Sequence, residues 1–385
     1  MDKIKVGALG IFDEQKFKKL ASDREDWLNG GEDMLLNNNF RVNKIASELK
    51  PNQIVVNVSK IYNDNENYKT LLLTTKNGET LPIFKPGQKI AITINVKDKF
   101  YTRPYYLVST PNDSLNGEYK ITVRNNNEDI IEDYLFNKIK IGERFSISSP
   151  FGEFYYNKIR DCKNVIAIVN SDGIMPIYSM IQSIIEGSLD CNLTVFYNEK
   201  TKNDLLYIKE LNEIANKSVN INVNFVLIDE EAKGFLQGYV SIDKIKSVFV
   251  EGNTSIFISG NEGLLKYQNN ELESLKLPKK YIVYDDFFPV CNIKRVVKYK
   301  LSIYVNNEKY EVPCYNNKTI MQALMDGGVY IPSKCHNGSC GYCRSELVLG
   351  EVKIINDKRS STDKKYNYIH PCSTYPLSDI EIIVR

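Results

Sequence analysis

The sequence lacks an excess of either charge, and it has no apolar run long enough to cross a membrane. Its 385 residues carry 50 Lys and Arg against 48 Asp and Glu, a net charge of +2, so nothing indicates the concentrated basic face of a nucleic-acid or membrane-surface binder. The longest apolar stretches, Asn164–Asn170 and Ile174–Ile185, are broken by polar residues. The first five residues lack the apolar core of a signal peptide. We therefore predict a soluble, cytoplasmic protein of two to three domains, with no nucleic-acid partner and no membrane span.

Cysteine is also sparse, because eight cysteines in a chain of this length are too few for a disulfide scaffold. Three of them lie within nine residues, at Cys335, Cys340 and Cys343, and Cys372 follows alone. The other four are scattered among strand-like residues and are predicted to be small buried hydrophobic side chains: Cys162, Cys191, Cys291 and Cys314.

The pattern of helix-like and strand-like segments changes three times along the chain, which predicts a multidomain fold. Residues 1–50 are polar and indicate an N-terminal helical extension. Residues 51–157 contain six short β-rich runs bounded by turn residues, typical of a small antiparallel β-barrel. Residues 158–290 alternate strand and helix patterns, typical of a parallel α/β sheet with ligands at the carboxyl ends of its strands. Residues 299–385 begin with a hairpin and a short helix and contain the clustered cysteines.

The cysteine spacing, Cys335-x4-Cys340-x2-Cys343 followed by Cys372, matches the plant-type 2Fe–2S pattern. A binuclear cluster needs several sulfurs on one tight loop, and Gly338 and Gly341 allow the backbone to bend sharply. A zinc site would present a second cysteine pair, which is missing here. A Rieske cluster needs histidine ligands, and the two histidines of the chain do not have that spacing. A redox Cys-x-x-Cys would leave two cysteines without a role.

On these residues, the C-terminal segment from Tyr299 resembles a plant-type ferredoxin domain, an α+β β-grasp fold. The loop Pro332–Cys343 resembles the cluster loop, and the resemblance implies that Cys335, Cys340, Cys343 and Cys372 are metal ligands. His336 and His370 are then loop residues near the cluster rather than ligands. A plant-type cluster has a potential near roughly −400 mV.

The segment 51–286 resembles the ferredoxin–NADP reductase superfamily, in which a flavin-binding barrel precedes a nicotinamide-binding domain. Arg103-Pro104-Tyr105-Tyr106 is similar to the family's Arg-x-Tyr-Ser/Thr motif. The resemblance implies that Arg103 pairs a flavin phosphate and that Tyr105 contacts the flavin. Tyr106 replaces the small hydroxyl residue that approaches flavin N5. Thr122 and Arg124 lie on the strand that resembles the one facing the flavin.

The second flavin motif departs from the family. Where the family has a Gly-Gly-x-x-Ser helix start whose amides hold the phosphates, this chain has the acidic segment Glu128–Asp133. Carboxylates cap a helix start well but repel a pyrophosphate. The resemblance favours FAD, and the acidic segment leaves FMN open.

The nicotinamide motifs depart further. The family's Gly-Gly-x-Gly-Ile-Thr-Pro turn corresponds to Asn170–Pro176, which retains Gly173 and Pro176. Ser259-Gly260 resembles the family's Cys-Gly-Pro turn, with serine in place of cysteine. Glu199 follows the second strand, where it could bond a ribose 2′-hydroxyl and favour NAD over NADP. A scaffold that no longer binds the nucleotide is the alternative for both turns, so the use of NAD(P)H stays open here.

We therefore expect an oxidoreductase that passes electrons from a nicotinamide cofactor through flavin to a 2Fe–2S cluster and on to a redox partner protein. The flavin is needed because a hydride carries two electrons and the cluster accepts one. The rival hypothesis is a non-catalytic electron-transfer subunit whose reductase-like module is a docking scaffold.

Overall fold

The fold is taken from a computed structural model that describes residues 51, 53–126, 129–285 and 295–384, together with positions 19, 45 and 49. Residues 52–385 form one compact unit. Apart from these three positions, the helical extension predicted for residues 1–50 lies outside the described residues, and so does Cys291, which was predicted to be a buried side chain. The domain boundaries 51–157, 158–290 and 299–385 remain predictions.

The first layer is a curled antiparallel sheet of six strands in the order β4-β3-β6-β1-β2-β5. Its two edges meet where Leu107, just beyond β4, pairs with Ile121 of β5, so the sheet closes into the predicted barrel. Buried side chains of alternate strand residues fill its interior. The elements are β1 (Ile54–Asn63), β2 (Tyr68–Thr74), β3 (Lys89–Val96), β4 (Lys99–Tyr106), α1 (Pro111–Leu115), β5 (Glu118–Arg124), α2 (Ile130–Asp133, continued by a wider turn at Tyr134–Lys138) and β6 (Arg144–Ile147).

The second layer is a six-stranded parallel sheet in the order β10-β9-β8-β7-β11-β12. Its central strands are almost continuously apolar because helices cover both faces. The strand order reverses between β7 and β11, and in such sheets a crevice for ligands opens at the carboxyl ends of those two strands. The elements are β7 (Asn164–Val169), α3 (Ile174–Ile185), β8 (Asn192–Glu199), α4 (Ile208–Lys217), β9 (Ile221–Leu227), β10 (Leu236–Gln237), α5 (Ile242–Lys246), β11 (Thr254–Ser259), α6 (Glu262–Glu273) and β12 (Ile282–Tyr284).

The third layer is a mixed five-stranded sheet in the order β14-β13-β19-β15-β17, with a separate β16-β18 ladder. The parallel pairing of β13 with β19 at its centre and one helix packed across it give the β-grasp arrangement. The elements are β13 (Lys298–Val305), β14 (Glu308–Tyr315), α7 (Ile320–Asp326), β15 (Ser345–Leu349), β16 (Val352–Ile354), α8 (Ser361–Lys365), β17 (Tyr368–Ile369), β18 (Thr374–Pro376) and β19 (Ile380–Val384).

The β-grasp layer packs directly on the barrel. The ring of Phe100 in β4 meets Tyr330 edge-on, with the ring centroids 5.6 Å apart. Lys99 Nζ donates a hydrogen bond to the carbonyl of Asp326, 2.5 Å away, at the end of α7. One apolar cluster runs without a break from the barrel into the β-grasp core, so the two layers share a hydrophobic core. In the part of the chain that the structure describes, no helix has the length and apolar character needed to cross a membrane.

Candidate cofactor sites

The four predicted cluster cysteines come together although one is far away in sequence. Cys335, Cys340 and Cys343 lie on the loop between α7 and β15, and Cys372 lies on a short helical turn before β18. The Cys343 and Cys372 sulfurs are 3.4 Å apart, and the amide of Cys340 points at Cys335 Sγ over 3.4 Å. The loop can curl around a cluster because His336, Gly338 and Gly341 have positive φ angles of 54°, 80° and 71°.

The glycine and the histidines around this loop have structural contacts. A Cβ on Gly338 would lie 2.5 Å from Ser373 Oγ, so only glycine allows the loop to approach Cys372. His370 Nδ1 lies 2.6 Å from the Gly338 carbonyl oxygen, and His336 Nε2 lies 3.2 Å from Ser333 Oγ. Both rings therefore brace the loop, and their role as residues near the cluster rather than ligands remains a prediction.

A cleft of about 480 Å³ separates the barrel from the switch point of the parallel sheet. Most of the predicted flavin and nicotinamide residues line it, from opposite sides. The barrel contributes Pro104, Tyr105, Tyr106, Thr122 and Arg124, and the sheet contributes Gly173, Ser259 and Gly260.

The Tyr105 hydroxyl in the cleft is a buried polar atom that finds no hydrogen-bond partner among the described residues. Such groups are rare in folded proteins, because each costs free energy unless a ligand or water satisfies it. Its position on the barrel wall fits a polar atom of a flavin. The residues present therefore fit the flavin that the sequence predicts in this cleft.

Arg103 does not point into the cleft as the phosphate prediction implied. Its guanidinium forms an ion pair with Asp129, whose side chain is 12% exposed. Asp129 also caps α2, because its Oδ1 accepts the amides of Ile131 and Glu132 at 3.0 and 3.1 Å. The acidic segment thus caps a helix, as the sequence indicates, and it also neutralises Arg103.

The nicotinamide turn is held by close backbone packing. A Cβ on Gly173 would lie 2.1 Å from the Ser259 carbonyl oxygen, and one on Gly260 would lie 2.0 Å from Asn170 Oδ1. Both glycines are therefore needed for the turns after β7 and β11 to meet. Pro176 is buried in the first turn of α3 and does not line the cleft.

Glu199 is buried, and its carboxylate accepts a hydrogen bond from the amide of Ser171. Ser171 has a positive φ of 48°, which turns that amide toward the end of β8. The side chain predicted to bond a ribose therefore supports the nicotinamide turn from behind and does not line the cleft.

Asp285, at the carboxyl end of β12, joins several functional groups that the sequence did not single out. Its Oδ1 accepts Lys89 Nζ at 3.1 Å, and its Oδ2 accepts Ser259 Oγ at 2.7 Å and the hydroxyl of Tyr106. Lys89 and Asp285 also line a second cavity of about 580 Å³, whose other wall includes Cys335 and Cys340. The cleft and the cavity beside the cluster loop therefore share one wall, formed by Lys89 and Asp285.

Buried carboxylates surround the cleft. Burial, reinforced by the nearby Asp129, raises the pKa of Glu132 to about 7. Burial also raises the pKa of Glu199 to about 7 and raises the pKa of Asp172, whose carboxylate accepts a hydrogen bond from Tyr68 at 2.9 Å. The cleft therefore gains negative charge around neutral pH.

These shifts predict that stability falls as the pH rises. Unfolded glutamates titrate near pH 4.3, so the folded protein binds more protons between about pH 4.3 and 7, and the free energy of unfolding falls through that window. We expect the loss in free energy of unfolding caused by Glu199→Gln to be about 2 kcal/mol smaller at pH 8 than at pH 5.5, as measured by urea unfolding. Glu213→Gln, at a side chain that is 72% exposed, is the control and should show no such difference. An equal cost of Glu199→Gln at both pH values would contradict this expectation.

Three family models match the chain in the order of its three layers. They are an oxidoreductase FAD-binding domain over residues 55–156, an oxidoreductase NAD-binding domain over residues 172–270, and a 2Fe-2S iron-sulfur cluster binding domain over residues 303–377. The chain therefore combines an oxidoreductase FAD-binding domain, an oxidoreductase NAD-binding domain and a C-terminal 2Fe–2S domain, as its resemblance to the ferredoxin–NADP reductase superfamily implies. The predictions of the family, the fold class and the three cofactor-binding domain types are thereby confirmed.

Relatives of this reductase family differ in how much of the chain they share. A flavohemoprotein of Oceanobacillus iheyensis is 25% identical over 56% of the chain and 54% of its own length, so the chain spans about half of that relative. The glycine betaine monooxygenase reductase subunit of Chromohalobacter salexigens is 21% identical over 78% of the chain and 87% of its own length. Among solved structures, phthalate dioxygenase reductase superposes with a TM-score of 0.65 at 18% identity, covering 86% of this chain and 97% of that one. This likeness shows the same fold.

Proposed function

We propose that the chain is an iron–sulfur flavoprotein reductase that passes electrons from a nicotinamide nucleotide, through a flavin, to a 2Fe–2S cluster and then to a protein partner. The observation that carries this proposal is the shared wall. Lys89 and Asp285 face both the cleft between barrel and parallel sheet and the cavity beside Cys335 and Cys340. A flavin in the cleft and a cluster on the loop are therefore neighbours.

The cluster loop supports four thiolate ligands. The Cys343 and Cys372 sulfurs lie side by side, and the amide of Cys340 donates to Cys335 Sγ, so the four residues surround one position that suits a cluster with two irons. The contacts of His370 with the Gly338 carbonyl oxygen and of His336 with Ser333 hold the loop in this curled form. We assign all four cysteines as ligands.

The cleft residues take separate tasks toward the two nucleotides. When bound, a flavin accepts a hydride from a nicotinamide and releases electrons one at a time. On the barrel side, four residues line the cleft: Pro104, Tyr105, Thr122 and Arg124. Tyr106 lines it as well, and its hydroxyl donates a hydrogen bond to Asp285. The close packing of Gly173 and Gly260 leaves the sheet side open for a nicotinamide. Glu199 supports that turn through Ser171.

A protein acceptor is the partner that this arrangement suits. The glycine betaine monooxygenase reductase subunit and phthalate dioxygenase reductase are both named as reductases of oxygenase systems. Cys340 is exposed, so the cluster loop reaches the surface where a second protein could contact it. We propose that the partner is a redox protein that takes single electrons at this loop.

A second candidate, a non-catalytic electron carrier, is favoured by two observations. The guanidinium predicted to hold a flavin phosphate is paired with Asp129, and the carboxylate of Asp172 stands in the nicotinamide turn. In that case only the cluster would be redox active, and the cleft would serve as scaffold.

Anaerobic titration of the full-length protein separates the two candidates. We expect the purified protein to show both flavin and 2Fe–2S absorption, and both bands to decrease when NADH or NADPH is added. Cluster absorption without a flavin band would favour the electron carrier. Flavin that stays oxidised after addition of NADH and after addition of NADPH would contradict the proposed reduction of the flavin by a nicotinamide nucleotide. Addition of dithionite is the control that the flavin and the cluster can both be reduced.

A further inference from the structure

The Asp129 carboxylate is bound as a phosphate group would be bound. One oxygen accepts two backbone amides, from Ile131 and Glu132, and the other is paired with the Arg103 guanidinium. Amides at a helix start together with a guanidinium are the donor set that proteins use for phosphate. Here the chain itself supplies the anion.

The other cations beside the cleft are also matched by carboxylates. Lys89 is paired with Asp285, and Arg124 lies within electrostatic reach of Asp172, whose charged form it stabilises. Glu132, which lines the cleft two residues into α2, adds a further acidic group beside Asp129. A phosphate entering here would meet cations that are already neutralised, and it would approach several carboxylates at close range.

One polar group in the wall of the cleft shows the opposite pattern. The Tyr105 hydroxyl is buried in the cleft wall and finds no partner among the described residues. The cleft therefore holds an unsatisfied hydroxyl that a neutral polar atom of a ligand could bind, whereas Asp129 already fills the position of an anion.

We propose that Asp129 takes the place of the flavin phosphate, so that this chain recognises a flavin by its ring and sugar chain and not by its phosphates. Asp129 is then the residue that sets cofactor specificity, and riboflavin, FMN and FAD are bound with similar affinity. This inference rests on the flavin site of the proposed function.

Equilibrium dialysis tests the proposal on full-length protein that retains its cluster and has been freed of flavin. For the unaltered protein we expect dissociation constants for riboflavin, FMN and FAD within about fivefold of each other. Asp129→Asn keeps an oxygen that caps the helix but removes the charge that neutralises Arg103. We expect it to tighten FMN and FAD at least about tenfold, as one charge-assisted contact allows, and to change riboflavin less than about threefold.

The matched control is Asp133→Asn on the same helix, because Asp133 pairs with Lys138 and does not line the cleft. It should leave all three dissociation constants unchanged. Asp129→Ser, which also caps a helix, replaces Asp129→Asn if circular dichroism shows that the asparagine variant is unfolded.

Each outcome decides the question. Flavins that bind the unaltered protein with similar affinity and gain phosphate dependence in Asp129→Asn support the proposal. FMN binding that appears only in that variant would overturn it, because the unaltered protein would then not recognise a flavin by its ring and sugar chain. FMN or FAD binding at least 100-fold tighter than riboflavin in the unaltered protein, or an unchanged ratio in the variant, would overturn it while leaving the proposed reductase function intact. Absence of flavin binding in every variant would overturn both.

Discussion

Replacement of Cys340 by alanine is expected to abolish the 2Fe–2S cluster while the rest of the protein stays folded. Cys340 is exposed, so the truncated side chain leaves no cavity and the loss reports the missing thiolate rather than poorer packing. A binuclear cluster that has lost one of four thiolates is not retained, and iron content should fall to less than about one tenth of that of the unaltered protein. Iron analysis and the visible spectrum measure the effect.

Cys314 provides the control for that experiment. It is a buried cysteine in β14 of the same β-grasp layer, and it lies outside the cluster loop. Cys314→Ala should keep the full iron content even if stability decreases slightly. Normal iron content in Cys340→Ala would refute the assignment of this ligand, whereas iron loss in both variants would show that the assay reports domain stability.

The second large effect is expected for Gly173→Ala, at the turn between β7 and α3. The new methyl group would lie 2.1 Å from the carbonyl oxygen and 2.4 Å from the carbonyl carbon of Ser259, and backbone atoms cannot move aside as a flexible side chain could. We expect a loss of about 2–4 kcal/mol in the free energy of unfolding. The side of the cleft proposed to bind the nicotinamide should also be distorted, so that reduction of the flavin by NADH or NADPH is lost.

Gly263→Ala is the matched control, because the position lies in the first turn of α6 and its nearest neighbour to a new Cβ, Asn261 Oδ1, is 3.3 Å away. Alanine is a better helix former than glycine, and the close neighbour is a side-chain atom that can shift, so this variant should lose far less stability than Gly173→Ala. Urea unfolding and NADH titration of both variants make the comparison. Equal stability of the two variants would mean that the turns after β7 and β11 are not packed as described.

The cluster loop was predictable because three of its four proposed ligands lie close together in the sequence. Cys335, Cys340 and Cys343 lie within nine residues, and such spacing restricts the possible ligand geometry before any tertiary contact is known. The barrel and parallel sheet were predictable for a similar reason, since alternation and strand-helix order depend on neighbours along the chain. The positions of Gly173 and Gly260 followed from the resemblance of the turns after two strands to the family's motifs.

The charges around the cleft were not predictable, because they depend on contacts between distant segments. Arg103 and Asp129 are 26 residues apart, and nothing in either motif indicates that they pair. Asp285 meets Lys89 from 196 residues away. Its place at the carboxyl end of a parallel strand is the signal that could have identified it. Glu199 was predicted at the correct strand end, but the turned amide of Ser171 binds its carboxylate.

The apolar cluster shared by the barrel and the β-grasp core has a mechanical consequence. A module that hung on a tether could swing between an electron donor and an acceptor, but here the contact of Phe100 with Tyr330 and the bond from Lys99 to Asp326 hold it against the barrel. The loop that carries Cys340 therefore faces solvent at a fixed angle to the cleft. In the proposed reductase, an acceptor protein would therefore have to diffuse to this loop, and the electron path from the cleft to the cluster would keep the same length from one turnover to the next.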